Sequence, residues 1–114
     1  MKPIIVSISS LPPSVSRAKL LSGLFPKGYT CLEASWKNEG ISELLRLALK
    51  QDADFIEVSE EFPLDHLSEL LPIARKNQIS IIQAISGPGG VVNHYLEILD
   101  LGLEVRPMVP TRAA

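Results

Sequence analysis

The chain carries almost none of the residues that announce extracellular, membrane or metal chemistry. Its single cysteine, Cys31, can form no internal disulfide, which suits a reducing compartment, and inside a strand pattern it reads as a small buried hydrophobe. No stretch approaches the ~20 apolar residues of a membrane span. The opening Met1-Lys2-Pro3-Ile4-Ile5-Val6 is too short for a signal-peptide core. These absences predict a soluble, unexported, cytoplasmic protein without membrane association. Charge is nearly balanced, with 11 Lys and Arg against 13 Asp and Glu, so direct nucleic-acid binding by this domain is not expected. The only histidines, His66 and His94, stand in no His-x-x-x-His or Glu-x-x-His pairing and have no second cysteine to join, so neither metal nor cofactor is expected. A Gly-x-Ser-x-Gly elbow is missing, and no oriented base can be assigned to any serine, which argues against an enzyme.

What the chain does have is 46% hydrophobic residues over 114 positions, enough for one domain, 1-114, with a modest core. Short β-branched runs alternate with amphipathic ones. Strands are predicted over Pro3 to Ser9, Thr30 to Ser35, Asp54 to Ser59, Ile79 to Ser86 and Leu103 to Pro107. The first predicted helix runs from Ser14 to about Phe25, with Val15, Ala18, Leu21, Leu24 and Phe25 on one face. A second starts at Asn38 or Ser42 and carries Ile41, Leu44, Leu45, Ala48 and Leu49 at helical spacing. The third, Leu64 to Lys76, contains Pro72, which predicts a kink or a later start. A fourth is predicted from about Val91 to Leu101, with Val92, Tyr95, Leu96 and Leu99 inward, closed by Gly102. This alternation points to an α/β fold, a flavodoxin-like doubly wound parallel five-stranded sheet in three α/β/α layers.

In such sheets ligands bind outside the carboxyl ends of the strands. Those ends carry serines, among them Ser9, Ser59 and Ser86, and the last leads into Gly87-Pro88-Gly89-Gly90. The loop's amides, next to the predicted fourth helix, are a candidate cradle for a small anion, although glycines making a tight crossover would look the same. It lacks the lysine and Ser/Thr of a nucleotide P-loop. Glu57 is the anomaly of the third strand: a central strand should carry a carboxylate only if it is paired or near the strand end. It shares a face with Ser59, so it either faces a functional crevice or sits in a salt bridge or at an edge.

Gly28 to Ala34, Asn38-Glu39, the Asp54 to Pro63 stretch and Arg106-Pro107 together resemble the second strand, following turn, phosphoacceptor strand and final strand of response-regulator receiver domains. On that resemblance Ser59 stands where the phosphoacceptor aspartate belongs, Ser86 is the switch hydroxyl and Arg106 replaces the lysine. The magnesium-holding acids would fall in Ser9 to Pro12, which has none. The resemblance therefore implies a pseudo-receiver that cannot be phosphorylated on aspartate. Its interface would include His94, Tyr95 and Arg106.

Weaker resemblances exist. Ala48 to Ser59, His66 to Lys76 and Gly89-Gly90 resemble cobalamin-binding domains of mutases and methionine synthases, although Pro12 to Arg17 lacks the histidine motif for the lower cobalt ligand. Lys2 to Ile8 and Ala53 to Val58 resemble type I dehydroquinases, whose barrel is about twice as long. The expected function is a non-catalytic, receiver-like signalling or regulatory module working through a protein partner or a homodimer. The alternative is a small-ligand domain, for cobalamin or a phosphorylated metabolite, using Ser9, Ser59, Ser86, Gly87, Gly89 and Gly90.

Overall fold

The computed structural model describes residues 2–8, 15–34, 41–100 and 104–108. Within them the elements run β1 (Ile4–Ile8), α1 (Val15–Leu24), β2 (Thr30–Ala34), α2 (Ile41–Lys50), β3 (Phe55–Ser59), α3 (Leu64–Lys76), β4 (Ser80–Ser86), β5 (Val92–Asp100) and β6 (Glu104–Met108). They build one six-stranded sheet in the order β2-β1-β3-β4-β5-β6. The first four strands are parallel, and β5 and β6 continue the sheet antiparallel. Helices α2 and α3 touch each other and cover β1 and β4, while α1 crosses the opposite face and reaches β5. Alternating helix faces follow from right-handed crossovers, because the chain moves outward from β1 to β2 and then back to β3.

The parallel five-stranded flavodoxin-like sheet is thus corrected to a six-stranded mixed sheet with three helices. The error lies at Val91 to Leu101, where the pattern predicts a fourth helix and the chain forms β5. Of the predicted inward face, Val92 and Tyr95 are buried, but Leu96 and Leu99 are only half-buried and Ile98 is buried in their place, at three-residue spacing. A register shift opposite Ile85 and Ser86 produces it. The irregularity places Val92 and Tyr95 toward α1, and normal alternation then turns Ile98 toward α3. The reversal before β5 uses Gly89 and Gly90, at φ of 82° and 75°, values that side chains rarely adopt.

Helices α2 and α3 bury the residues their periodicity singles out, Ile41, Leu44 and Ala48 in one and Leu67, Leu70, Leu71 and Ala74 in the other, although Leu49 is exposed. Pro72 sits on the solvent side of α3, which runs unbroken through it. Helix α1 departs from its predicted stripe. Val15 and Ala18 face solvent, and Leu21 is its one fully packed side chain, with Leu20, Leu24 and Phe25 half-buried at the core margin. Phe25 meets Phe55 at 5.1 Å between ring centroids, pinning the carboxyl end of α1 to the foot of β3. Its amino-terminal half has no apolar anchor of that kind. No helix among the described residues is long and apolar enough to cross a membrane.

Candidate functional site

The amino-terminal half of α1 is held by polar groups, and they define the site. In the parallel register Ser7 of β1 lies beside Glu57 of β3, so both project onto the α1 face, and both are completely buried. Arg17, in the first turns of α1, reaches down to them. Its Nη2 pairs with Glu57 Oε1, its Nε donates to Glu57 Oε2 at 3.1 Å, and Nη2 also donates to Ser7 Oγ at 3.0 Å. The Tyr95 hydroxyl, arriving from β5, donates to Glu57 Oε2. Both carboxylate oxygens are therefore engaged by the cation and the phenol. Cys31 Sγ, on β2, lies 3.8 Å from Arg17 Nη2 at the half-open margin of the network. A turn earlier, Ser16 Oγ donates to the Val92 carbonyl at 2.8 Å and ties α1 to β5.

The electrostatics follow from this enclosure. Burial alone would pull the Arg17 guanidinium down, but its hydrogen bonds to Glu57 and the Glu57 charge outweigh that effect and hold it further above its ordinary range. Burial pushes the Tyr95 phenol up, and the adjacent Glu57 charge adds to the rise. Cys31 is raised by burial and by Glu57, with Arg17 only partly offsetting them, so its thiol stays protonated and unreactive near neutrality. Glu33, at the open edge of β2, is raised by burial against the lowering influence of Arg17. The chemistry available here is a neutralised ion pair with a proton-holding phenol.

The residues singled out from sequence scatter. Ser9 lies outside the described residues, as does the Asn38-Glu39 turn. Ser59 ends β3, and its buried hydroxyl has no hydrogen-bond partner among the described residues. Ser86 ends β4, where its N–H donates to the Glu60 carboxylate at 2.6 Å. Gly87 N–H donates to the Val91 carbonyl at 2.8 Å and Gly90 N–H to the Gly87 carbonyl at 3.2 Å. The glycine loop therefore spends these three amides on the protein itself, and Gly89 stands open to solvent. His94 is exposed, with Nδ1 at 3.0 Å from Asn93 Oδ1. Tyr95 points inward to Glu57, and Arg106 pairs with Glu97 across the β5-β6 ladder.

Glu57, flagged as an anomaly, is resolved as a salt-bridged carboxylate. Sequence reasoning assigned it neither of its partners, Arg17 and Tyr95. The signal was present in weak form: a buried carboxylate in a central strand demands a cation, and Arg17 is the first one offered by the helix crossing that face. No group of three or more His, Cys, Asp or Glu among the described residues could hold a metal ion. The chain matches no protein-family model, no curated protein and no solved structure.

Proposed function

We propose that this domain is a non-catalytic regulatory or signalling module that acts through protein-protein contact. One observation carries the reading: the only carboxylate inside the described core, Glu57, has both oxygens committed to Arg17 and Tyr95 and is fully buried. A general acid or base must reach a substrate proton, and this one is spent on holding α1 to the sheet. The signalling part of the proposal is motivated by the receiver-like Asp54 to Pro63 stretch alone, in which Ser59 ends β3; the Arg106-Pro107 stretch lies in antiparallel β6 and lends it nothing.

A thermal-shift series with magnesium and beryllofluoride, inorganic phosphate, sugar phosphates, nucleotides and hydroxocobalamin tests the proposal. The expected result is no saturable stabilisation by any of them. A second reading rests on the unpartnered Ser59 hydroxyl, which a small ligand at the strand ends would satisfy. Saturable stabilisation that Ser59→Leu or Gly90→Val abolishes, with the fold intact by circular dichroism, would replace the first reading with the second.

A further inference from the structure

Three of the large apolar side chains that stand in solvent gather at the carboxyl edge of the sheet. Val15, Leu64 and Val91 are 73%, 66% and 46% exposed. The topology brings them together. Leu64 opens α3 directly after β3, Val91 precedes β5 beside the end of β4, and Val15 is the neighbour of Ser16, which is bonded to Val92. The Glu60 to Ser86 hydrogen bond joins the β3 and β4 sides of this edge. Interleaved with the apolar residues are the exposed acids Glu60, Glu61 and Asp65. Among the described cations, Lys27, Lys50, Arg75 and Lys76 follow or close helices at the opposite edge and Arg17 is taken by Glu57, while Lys19 stands exposed one turn after Val15, so the acids frame Leu64 and not Val15. Large exposed apolar side chains framed by charge of one sign mark an interaction surface, and the sign selects the partner.

We infer that the carboxyl edge is a docking surface for a basic, apolar segment of another protein, with Leu64 and Val91 as anchors and Glu61 and Asp65 as the charge rim. This rests on the interaction-module reading and gives its partner a chemistry. A segment alternating lysine or arginine with leucine-sized residues would place apolar groups on the anchors and cations on the rim. Steering by the rim predicts binding that weakens as salt rises.

The test titrates the isotope-labelled domain with a synthetic peptide alternating leucine and lysine, and with its leucine-glutamate counterpart, while amide and methyl resonances are followed. Expected are saturable shifts centred on Glu61 to His66, Val91 to Val92 and Ser16, produced by the lysine peptide alone. Leu64→Ser and Val91→Ser should each weaken binding roughly tenfold, as loss of an interface anchor does. Val105→Ser, at a solvent-facing apolar position on β6, should leave it unchanged. Equal binding of both peptides, shifts centred elsewhere, or indifference to both anchor substitutions would overturn the inference. So would nuclear Overhauser contacts covering Leu64 and Val91 with residues 9–14 or 35–40 of the same chain, or self-association that Leu64→Ser abolishes. A small-molecule hit in the thermal series would remove the interaction-module reading while leaving these peptide outcomes separately readable.

Discussion

Arg17→Met is the perturbation that most directly tests the account of the buried network. It removes the cation and leaves the Glu57 carboxylate at zero exposure, with Tyr95 as its remaining donor. Breaking a buried pair in this way costs about 3–5 kcal/mol, because the surviving charge stays desolvated. A domain of 114 residues has a total stability of roughly 6–17 kcal/mol at the usual value per residue. The unfolding entropy for this length is about 0.24 kcal/mol per kelvin, so the loss corresponds to a Tm drop of roughly 12–20 °C. Glu57→Gln should cost less. The Arg17 side chain keeps 11% of its surface in water and can solvate its charge by a small shift, an outlet Glu57 does not have. The double variant removes both charges and should cost less than the sum of the single changes by about 2 kcal/mol. Urea unfolding of the four proteins, followed by circular dichroism, yields the cycle. An Arg17→Met cost below about 1 kcal/mol, or additivity within about 0.5 kcal/mol, would refute the claim that this pair fastens α1.

Three further outcomes follow from the same contacts. Tyr95 is raised in the folded state, so its contribution to stability is complete below the unfolded phenol value near 10 and is lost as pH rises above it, at about 1.4 kcal/mol per pH unit. Tyr95→Phe should flatten that alkaline limb by one proton in pH-dependent unfolding, and an unchanged slope would contradict the assignment. Ser16→Ala removes the bond to the Val92 carbonyl and should cost about 1 kcal/mol, with faster amide hydrogen exchange confined to α1; uniform acceleration across the sheet would mean that α1 has no independent tether. Pro72→Ala restores a missing helical N–H on the solvent side of α3 and should stabilise the protein by at least about 1 kcal/mol in thermal melts, a result reversed only if the proline ring makes packing contacts that its exposure argues against.

The first four strands, α2 and α3 were legible because each wrote a single period into the sequence. Ile4 to Ile8 is a continuous apolar run that suits a strand covered on both faces, and Leu67, Leu70, Leu71 and Ala74 repeat at helical intervals. Strand β5 was not legible for the reason that its bulge interrupts the period of two. Val92, Tyr95, Leu96 and Leu99 satisfy a helical template in sequence, while the register shift buries Val92, Tyr95 and Ile98, and the β-branched and aromatic content of Val91 to Tyr95 was the cue that should have competed. The candidate site was half visible. A carboxylate inside an apolar strand can be recognised from sequence alone, but its partners sit 40 positions upstream and 38 downstream, and only the fold places Arg17 and Tyr95 on the same oxygens.

The weak amphipathicity of α1 and the buried ion pair beneath it are two sides of one solution. A helix that buries only Leu21 fully has little hydrophobic driving force to choose its place on a six-stranded face, and several rotations about its axis would cover similar apolar area. The Arg17 fork accepts only one of them. It must meet Glu57 at two nitrogens while reaching Ser7, and Ser16 must at the same time find the Val92 carbonyl. Replacing the network with well-packed apolar residues could leave stability equal or higher, yet it would remove the geometric condition that fixes the rotation and tilt of α1. That condition bears on function, because the amino terminus of α1 carries Val15 to the carboxyl edge beside Val91. The buried pair therefore helps to set the shape of the surface through which the domain is proposed to act, although Glu57 itself is wholly enclosed.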